Sequence, residues 1–342
     1  MSGKKWVIQR PWKCKVDYKT FSGNAVPDAQ RVLVSGGVVI HPDYSVHRPV
    51  FILCPGRSFS SVACGMLGQH PQLYGLPETN FFVADTVDGL FQRFSGPGDR
   101  HRLHGLVRTL AQLHDGEQTE AAAEHAWQWL RERLLMTTRE LAWYVASQLG
   151  PRQMVEKSPS NCAEAAYLAR LYQTFPTARF LHLSRHPRST GKSLYQVRQE
   201  QRARRGRDRM PVDGRRMEEN WLKVHGHILR FTKRLPVGQS LHLQGEQLLA
   251  DPDRYLRQIA EWLDIRMDAQ AIEAMKHPEI SPFATLGPDN ARGGNNRKYL
   301  EDPRLRTGPP PKVNLSDPLE WMADGSGFSP ATVALARRLG YQ

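Results

Sequence analysis

The chain has 342 residues, 40% of them hydrophobic, and a formal net charge of +13. That apolar content supports a sizeable core, but no run of 18 apolar residues occurs, and Lys4 and Lys5 are not followed by an apolar segment. Neither a transmembrane helix nor a secretory leader is therefore expected, and the chain reads as cytoplasmic.

In chain order, residues 1–48 read as an irregular N-terminal extension with a short hairpin around 31–40. The apolar run Pro49-Val50-Phe51-Ile52-Leu53 predicts a buried strand, and Val62 to Gln69 predicts a helix. Between them lies Cys54-Pro55-Gly56-Arg57-Ser58-Phe59-Ser60-Ser61, a tight turn of small hydroxyl residues with one cation. A strand, such a turn and a helix N-terminus form an anion cradle, because free backbone N–H groups and the helix dipole both favour a phosphate. The turn lacks the Gly-Lys-Ser/Thr of a Walker A loop, so it suits a phosphate without the usual Mg-nucleoside triphosphate geometry. A second short strand ends near residue 76.

Residues 83–149 read as a helical cap inserted between strands, with Trp127, Leu130, Leu134, Leu141 and Val145 at helical spacing from 121 onward. Strands follow at 153–156, 178–184 and 240–243. Helices are predicted at 160–175 (Ser160 or Asn161 as N-cap), 189–202, 216–235 and 252–263. The stretch 281–315, rich in Gly, Pro, Asn and Arg, reads as a flap, and 322–342 as a helical tail. Strands alternating with helices predict an α/β, P-loop-like three-layer fold with a central, mostly parallel sheet, in one domain over 49–321.

Lys157 ends a short buried strand and precedes a helix, which directs it to the crevice where such sheets bind ligands. Arg185 follows the strand Phe180-Leu181-His182-Leu183, and Ser193 lies eight residues on, in the next helix; an Arg fork suits a phosphate dianion. The run from Arg198 to Arg216 holds eight arginines (Arg198, Arg202, Arg204, Arg205, Arg207, Arg209, Arg215 and Arg216) and reads as a solvated loop with too few aromatics for a nucleic-acid platform. The four cysteines (Cys14, Cys54, Cys64, Cys162) show no C-x-x-C pairing and read as buried reduced thiols. The pairs His101/His104 and His225/His227 lack a third ligand nearby, so no metal is expected.

Taken together, Arg57-Ser58-x-Ser60-Ser61, His70-Pro71, Gly75-Leu76-Pro77-Glu78-Thr79-Asn80-Phe81-Phe82, Lys157-Ser158-Pro159 and Arg185…Ser193 resemble the sulfotransferase family, more narrowly its bacterial branch related to tyrosylprotein and polyketide-associated enzymes. The resemblance covers about residues 49–265, with a weaker echo to about 321. It implies transfer of a sulfuryl group from 3′-phosphoadenosine 5′-phosphosulfate (PAPS) to a hydroxyl or amine of a small-molecule or carrier-protein-bound acceptor, without metal and without nucleic acid. It implies that Arg57, Ser58, Phe59, Ser60 and Ser61 hold the 5′-phosphosulfate. Arg185 and Ser193 would hold the 3′-phosphate, and Lys157 would neutralise the sulfuryl group and bridging oxygen. Glu78, 21 residues after Arg57, would act as base. Arg297 and Lys298 would close over the nucleotide, with Lys312-Val313-Asn314-Leu315 completing the closure. The chain departs from the pattern at Phe59, where glycine is usual, at Gly245, where tyrosine is usual, and at Ser158, where cytosolic small-molecule relatives place a histidine shortly after their lysine. The alternatives are a kinase-like enzyme using ATP and a non-catalytic relative that binds the product adenosine 3′,5′-bisphosphate (PAP).

Overall fold

The structure is a computed structural model describing residues 33–35, 38–40, 47–204, 214–310, 312–322 and 324–342. The rest of the expected N-terminal extension, Cys14 and residues 205–213 of the basic run lie outside the described residues. The expected hairpin is present as an antiparallel pair, β1 (Leu33–Ser35) and β2 (Val38–Ile40).

The strand β3 (Val50–Leu53) is buried along its whole length, as a parallel strand covered on both faces requires. It is central in a five-stranded, all-parallel sheet of order β4-β5-β3-β6-β7, where β4 is Leu73–Gly75, β5 Gln153–Glu156, β6 Arg179–Ser184 and β7 Ser240–Gln244. From β3 the chain passes through α1 (Ser60–Leu67) to β4 at one edge, returns to β5, then crosses to β6 on the far side of β3. Strand order thus reverses at β3, and such a reversal opens a crevice at the carboxyl ends of the strands. The loops after β3, β5 and β6 all emerge there.

Alternate residues of β3 serve two apolar layers. Phe51 and Leu53 join the cluster formed with α2 (Val87–Arg93), α3 (His104–His114), α4 (Glu120–Arg131), α5 (Thr138–Ser147), α6 (Ala165–Thr174) and α8 (Arg215–Thr232), the helix after α7 (Pro187–Arg204). Val50 and Ile52 pack with α1, α9 (Gly245–Ala250), α10 (Pro252–Leu263) and α11 (Ala269–Ala274). The helix α12 (Arg297–Glu301) follows, and α13 (Pro330–Arg338) packs on α8 through Trp221, Leu315, Ala336, Leu339 and Tyr341. The thiols of Cys54, Cys64 and Cys162 are buried and free.

Several expected boundaries move for physical reasons. The helix expected at Val62 begins at Ser60. The cap does not run as one helix from 121: it breaks after α4, Leu134 lies in the break at 38% exposure, and α5 restarts under a capping box in which Thr137 and Glu140 bond each other's backbone N–H. Neither Ser160 nor Asn161 caps α6. Residues Pro159–Cys162 form a single 3₁₀ turn, the Ser160 hydroxyl is spent on Asn80 and the Asn161 amide on Glu156, so the α-helix starts only at Ala165. The helix α7 begins two residues earlier than expected, at Pro187, whose missing N–H costs nothing in a first turn.

Candidate active site

The loop after β3 turns sharply into α1. Arg57 and Phe59 both adopt left-handed backbone conformations, φ 69° and 63°, which are uncommon for residues bearing a Cβ. This turn places Arg57, Ser58, Phe59, Ser60 and Ser61 along a cavity of about 1110 Å³ at the switch point. Ser58 is fully buried and its hydroxyl has no hydrogen-bond partner. A buried polar atom left unpaired is costly, and an anion's oxygen in the cradle would satisfy it.

The loop after β5 supplies Lys157, which is completely buried. Its Nζ donates to Ser61 Oγ at 3.1 Å and to Glu78 Oε1 at 3.0 Å, while Glu78 remains 36% exposed to the cavity. One ammonium therefore ties the loop after β3 to a solvent-facing carboxylate. The preceding residue, Glu156, is also buried and is the anchor of this region. Its carboxylate accepts from the Thr79 hydroxyl at 2.9 Å, the Asn161 amide at 2.9 Å and the Ser158 hydroxyl. Ser158 Oγ in turn accepts the Asn80 N–H at 2.9 Å. Burial pushes the Glu156 carboxyl above its ordinary pKa, against the lowering effect of these hydrogen bonds. Residues 79–80, next to Glu78, are thereby stitched to the end of β5.

The loop after β6 supplies Arg185. Its Nη1 donates to the Arg57 carbonyl at 2.8 Å, and its Nε is buried without a partner. Desolvation lowers its pKa to about 10, so it stays cationic at neutral pH. Arg57 Nε donates to Ser193 Oγ at 3.0 Å, so Ser193, on α7, meets Arg57. The loop is held from below by Glu246, which accepts the His186 N–H at 2.8 Å and the Tyr341 hydroxyl at 3.2 Å.

The stretch expected as a flap packs onto these loops. The Gly294 carbonyl accepts the Glu78 N–H at 2.7 Å, and the Asn296 N–H donates to Ser61 Oγ at 3.2 Å. Arg108, fully buried on α3, donates to the carbonyls of Thr285 at 2.9 Å and Gly293 at 3.3 Å. Lys298 lines the cavity. Arg297 does not: its Nε is held by Glu301 at 2.8 Å, and it lies outside the cavity wall. Arg188 donates to the carbonyls of Asn314 at 3.1 Å and Pro318 at 2.9 Å, drawing this segment across α7 so that Val313 reaches the cavity. The opposite wall comes from the cap side, with Val83, Arg93, Phe94 and Arg102, and from Tyr167.

The structure thus brings Arg57, Ser58, Phe59, Ser60, Ser61, Glu78, Arg185, Ser193 and Lys298 to the wall of one crevice, with Lys157 buried directly behind Ser61 and Glu78. The sequence assigns no role to Glu156, Asn80, Arg108, Arg188 or Asn296, although Asn80 lies within the motif Gly75 to Phe82 and Arg188 lies three residues after Arg185. Among the described residues, no three His, Cys, Asp or Glu side chains converge as metal ligands. His104 accepts the Gly293 N–H, His225 pairs with His182, and His227 bonds the Cys162 carbonyl.

A model described as "Sulfotransferase family" matches residues 49–269. Among solved structures, the sulfotransferase domain from the Synechococcus PCC 7002 olefin synthase is similar at 23% identity and a TM-score of 0.67, covering 86% of this chain and 96% of that one. The sulfotransferase domain from the curacin biosynthetic pathway is similar at 20% identity and a TM-score of 0.63, covering 86% and 98%. At these identities the likeness is one of fold. An uncharacterized protein of Aquifex aeolicus (strain VF5) is 24% identical over 256 residues, 74% of this chain and 30% of the relative, so the chain spans under a third of that relative's length.

Proposed function

The chain belongs to the sulfotransferase family, and from that premise we propose that it transfers a sulfuryl group from PAPS to a hydroxyl or amine of a small-molecule or carrier-tethered acceptor, with Glu78 as general base. The observation that carries this reading is the Lys157 ammonium bonded at once to Ser61 in the phosphate loop and to Glu78 at the cavity.

When bound, the donor supplies a sulfuryl group on a phosphate leaving group. The backbone and hydroxyls of 57–61 and the Arg57 guanidinium receive the 5′-phosphosulfate, where the unpaired Ser58 hydroxyl finds an acceptor. Arg185, with an unpaired Nε, takes the 3′-phosphate, and Ser193 orients Arg57. Glu78 accepts the acceptor's proton as the new O–S bond (N–S for an amine) forms and the S–O bond to phosphate breaks. Lys157, fixed just behind Ser61 and Glu78, supplies a positive charge near the negative charge that grows on the bridging oxygen. Lys298 closes the nucleotide side.

A cavity of about 1110 Å³ leaves space for an acceptor beside a nucleotide. The similarity to domains of an olefin synthase and of the curacin pathway supports an acceptor from such assemblies. Incubation with sulfur-labelled PAPS and hydroxylated acceptors, in the presence of chelator, tests the proposal. Label should appear on the acceptor with release of one PAP per product. Transfer that requires Mg-ATP instead would overturn it.

A further inference from the structure

Phe59 and Gly245 are each unusual for their position, and they touch. Phe59, the residue preceding α1, has φ 63° and ψ 10°, a conformation that favours glycine and strains a bulky side chain. Gly245 has no positive φ, so its backbone does not require glycine. A Cβ there would stand 2.6 Å from Phe59 Cδ2 and 3.3 Å from the Ser184 carbonyl oxygen. The Phe59 ring therefore occupies the space into which a side chain at 245 would grow. The Arg185 guanidinium lies over the same ring, its Cζ 4.2 Å from the centroid. Arg185 is further fixed by its bond to the Arg57 carbonyl, while its Nε is left unpaired.

We infer that Phe59 is a positioning residue: its ring, seated in the space Gly245 leaves open, holds the Arg185 guanidinium ready for the donor's 3′-phosphate. This rests on the proposed donor site. A flexible Arg must lose rotamer freedom when it grips a phosphate, and an aromatic face beneath a planar guanidinium removes part of that cost in advance. The strained backbone at Phe59 persists because the ring is held from both sides.

The test is a double-mutant cycle read as PAP affinity by titration calorimetry, with melting temperatures measured without ligand. Phe59→Gly relieves the left-handed strain and removes the ring. It should melt within about 5 °C of the parent yet bind PAP about ten-fold more weakly. Gly245→Ala should weaken PAP binding by a similar factor in the parent, where its methyl meets the ring, and should add no further loss to Phe59→Gly. Phe59→Leu fills the space without an aromatic face and should also weaken binding, by about three-fold or more, which covers the case of a glycine variant that fails to fold. PAP binding by folded Phe59→Gly as tight as the parent's, or strictly additive effects of Phe59→Gly and Gly245→Ala, would overturn the inference. Absence of PAP binding by the parent would instead overturn the donor site on which it stands.

Discussion

Lys157 is a wholly buried cation with one carboxylate partner, Glu78, and one hydroxyl partner, Ser61. Charged groups are seldom buried unless paired, so the ammonium fixes the distance between the loop after β3 and the carboxylate. Replacing Glu78 by Gln keeps the shape and removes the base. Turnover at saturating donor should fall about 100-fold or more, with PAP affinity little changed; unaltered turnover would remove Glu78 from proton transfer. Arg185→Ala should act the other way, weakening PAP binding roughly 100-fold through loss of a charge-assisted contact, and unchanged affinity would place the 3′-phosphate elsewhere. At this scale Arg57, Lys157 and Arg185 were legible because each lies just past the end of an apolar strand run. Glu156 was not. A buried carboxylate satisfied by Thr79, Ser158 and Asn161 has no spacing that marks it. Arg297 and Lys298 stood as equals in sequence, and only the five-residue helix α12 shows that one turns to Glu301 while the other lines the cavity.

At the level of elements, the carboxylate's loop is set by how closely α3 passes beneath it. A Cβ on Gly105 would lie 2.1 Å from the Glu78 carbonyl oxygen, which is backbone and cannot swing aside. Gly294, at φ 103°, crosses within the same narrow space. Gly105→Ala should therefore destabilise the fold by about 1–3 kcal/mol, the usual cost of overpacking, and lower turnover by displacing Glu78. Denaturant unfolding and turnover, measured on the same preparation, check this; a variant unchanged in both would mean that α3 does not position the loop. The helices of the insertion were legible from their apolar spacing, but the break between α4 and α5 was hidden. Leu134, Leu135 and Met136 continue the apolar pattern through the turn, and the overlooked signal was the new helix start Thr137-x-x-Glu140. The start of α6 was misread for a related reason. Ser160 and Asn161 look like caps, but their side chains are taken by Asn80 and Glu156 from elsewhere in the fold.

For the whole molecule, alternating strands and helices made the parallel sheet legible, whereas the strand order depends on contacts between distant segments that no local pattern records. The core also carries a pH dependence. His182 on β6, His225 on α8 and His242 on β7 cluster together, with His182 and His225 hydrogen bonded at 2.9 Å. Burial first, then mutual repulsion, lowers the pKa values of His182 and His225, the latter to about 3; burial lowers that of His242. Below about pH 6.5 the unfolded chain takes up protons that the native core refuses. Stability is therefore greatest above about 6.5 and falls as pH drops towards the depressed native values, by up to about 1.4 kcal/mol per pH unit for each histidine. Melting temperature should decline between pH 7 and pH 5, less steeply in His225→Phe; a flat profile would contradict neutral burial of the cluster. Three loops at one switch point form the proposed metal-independent seat for PAPS, and titration with PAP in the presence of chelator tests that most directly. Saturable binding at one site is expected, persisting without metal and weakened about 100-fold in Arg185→Ala. No binding of PAP, with saturable binding of Mg-ATP instead, would contradict it.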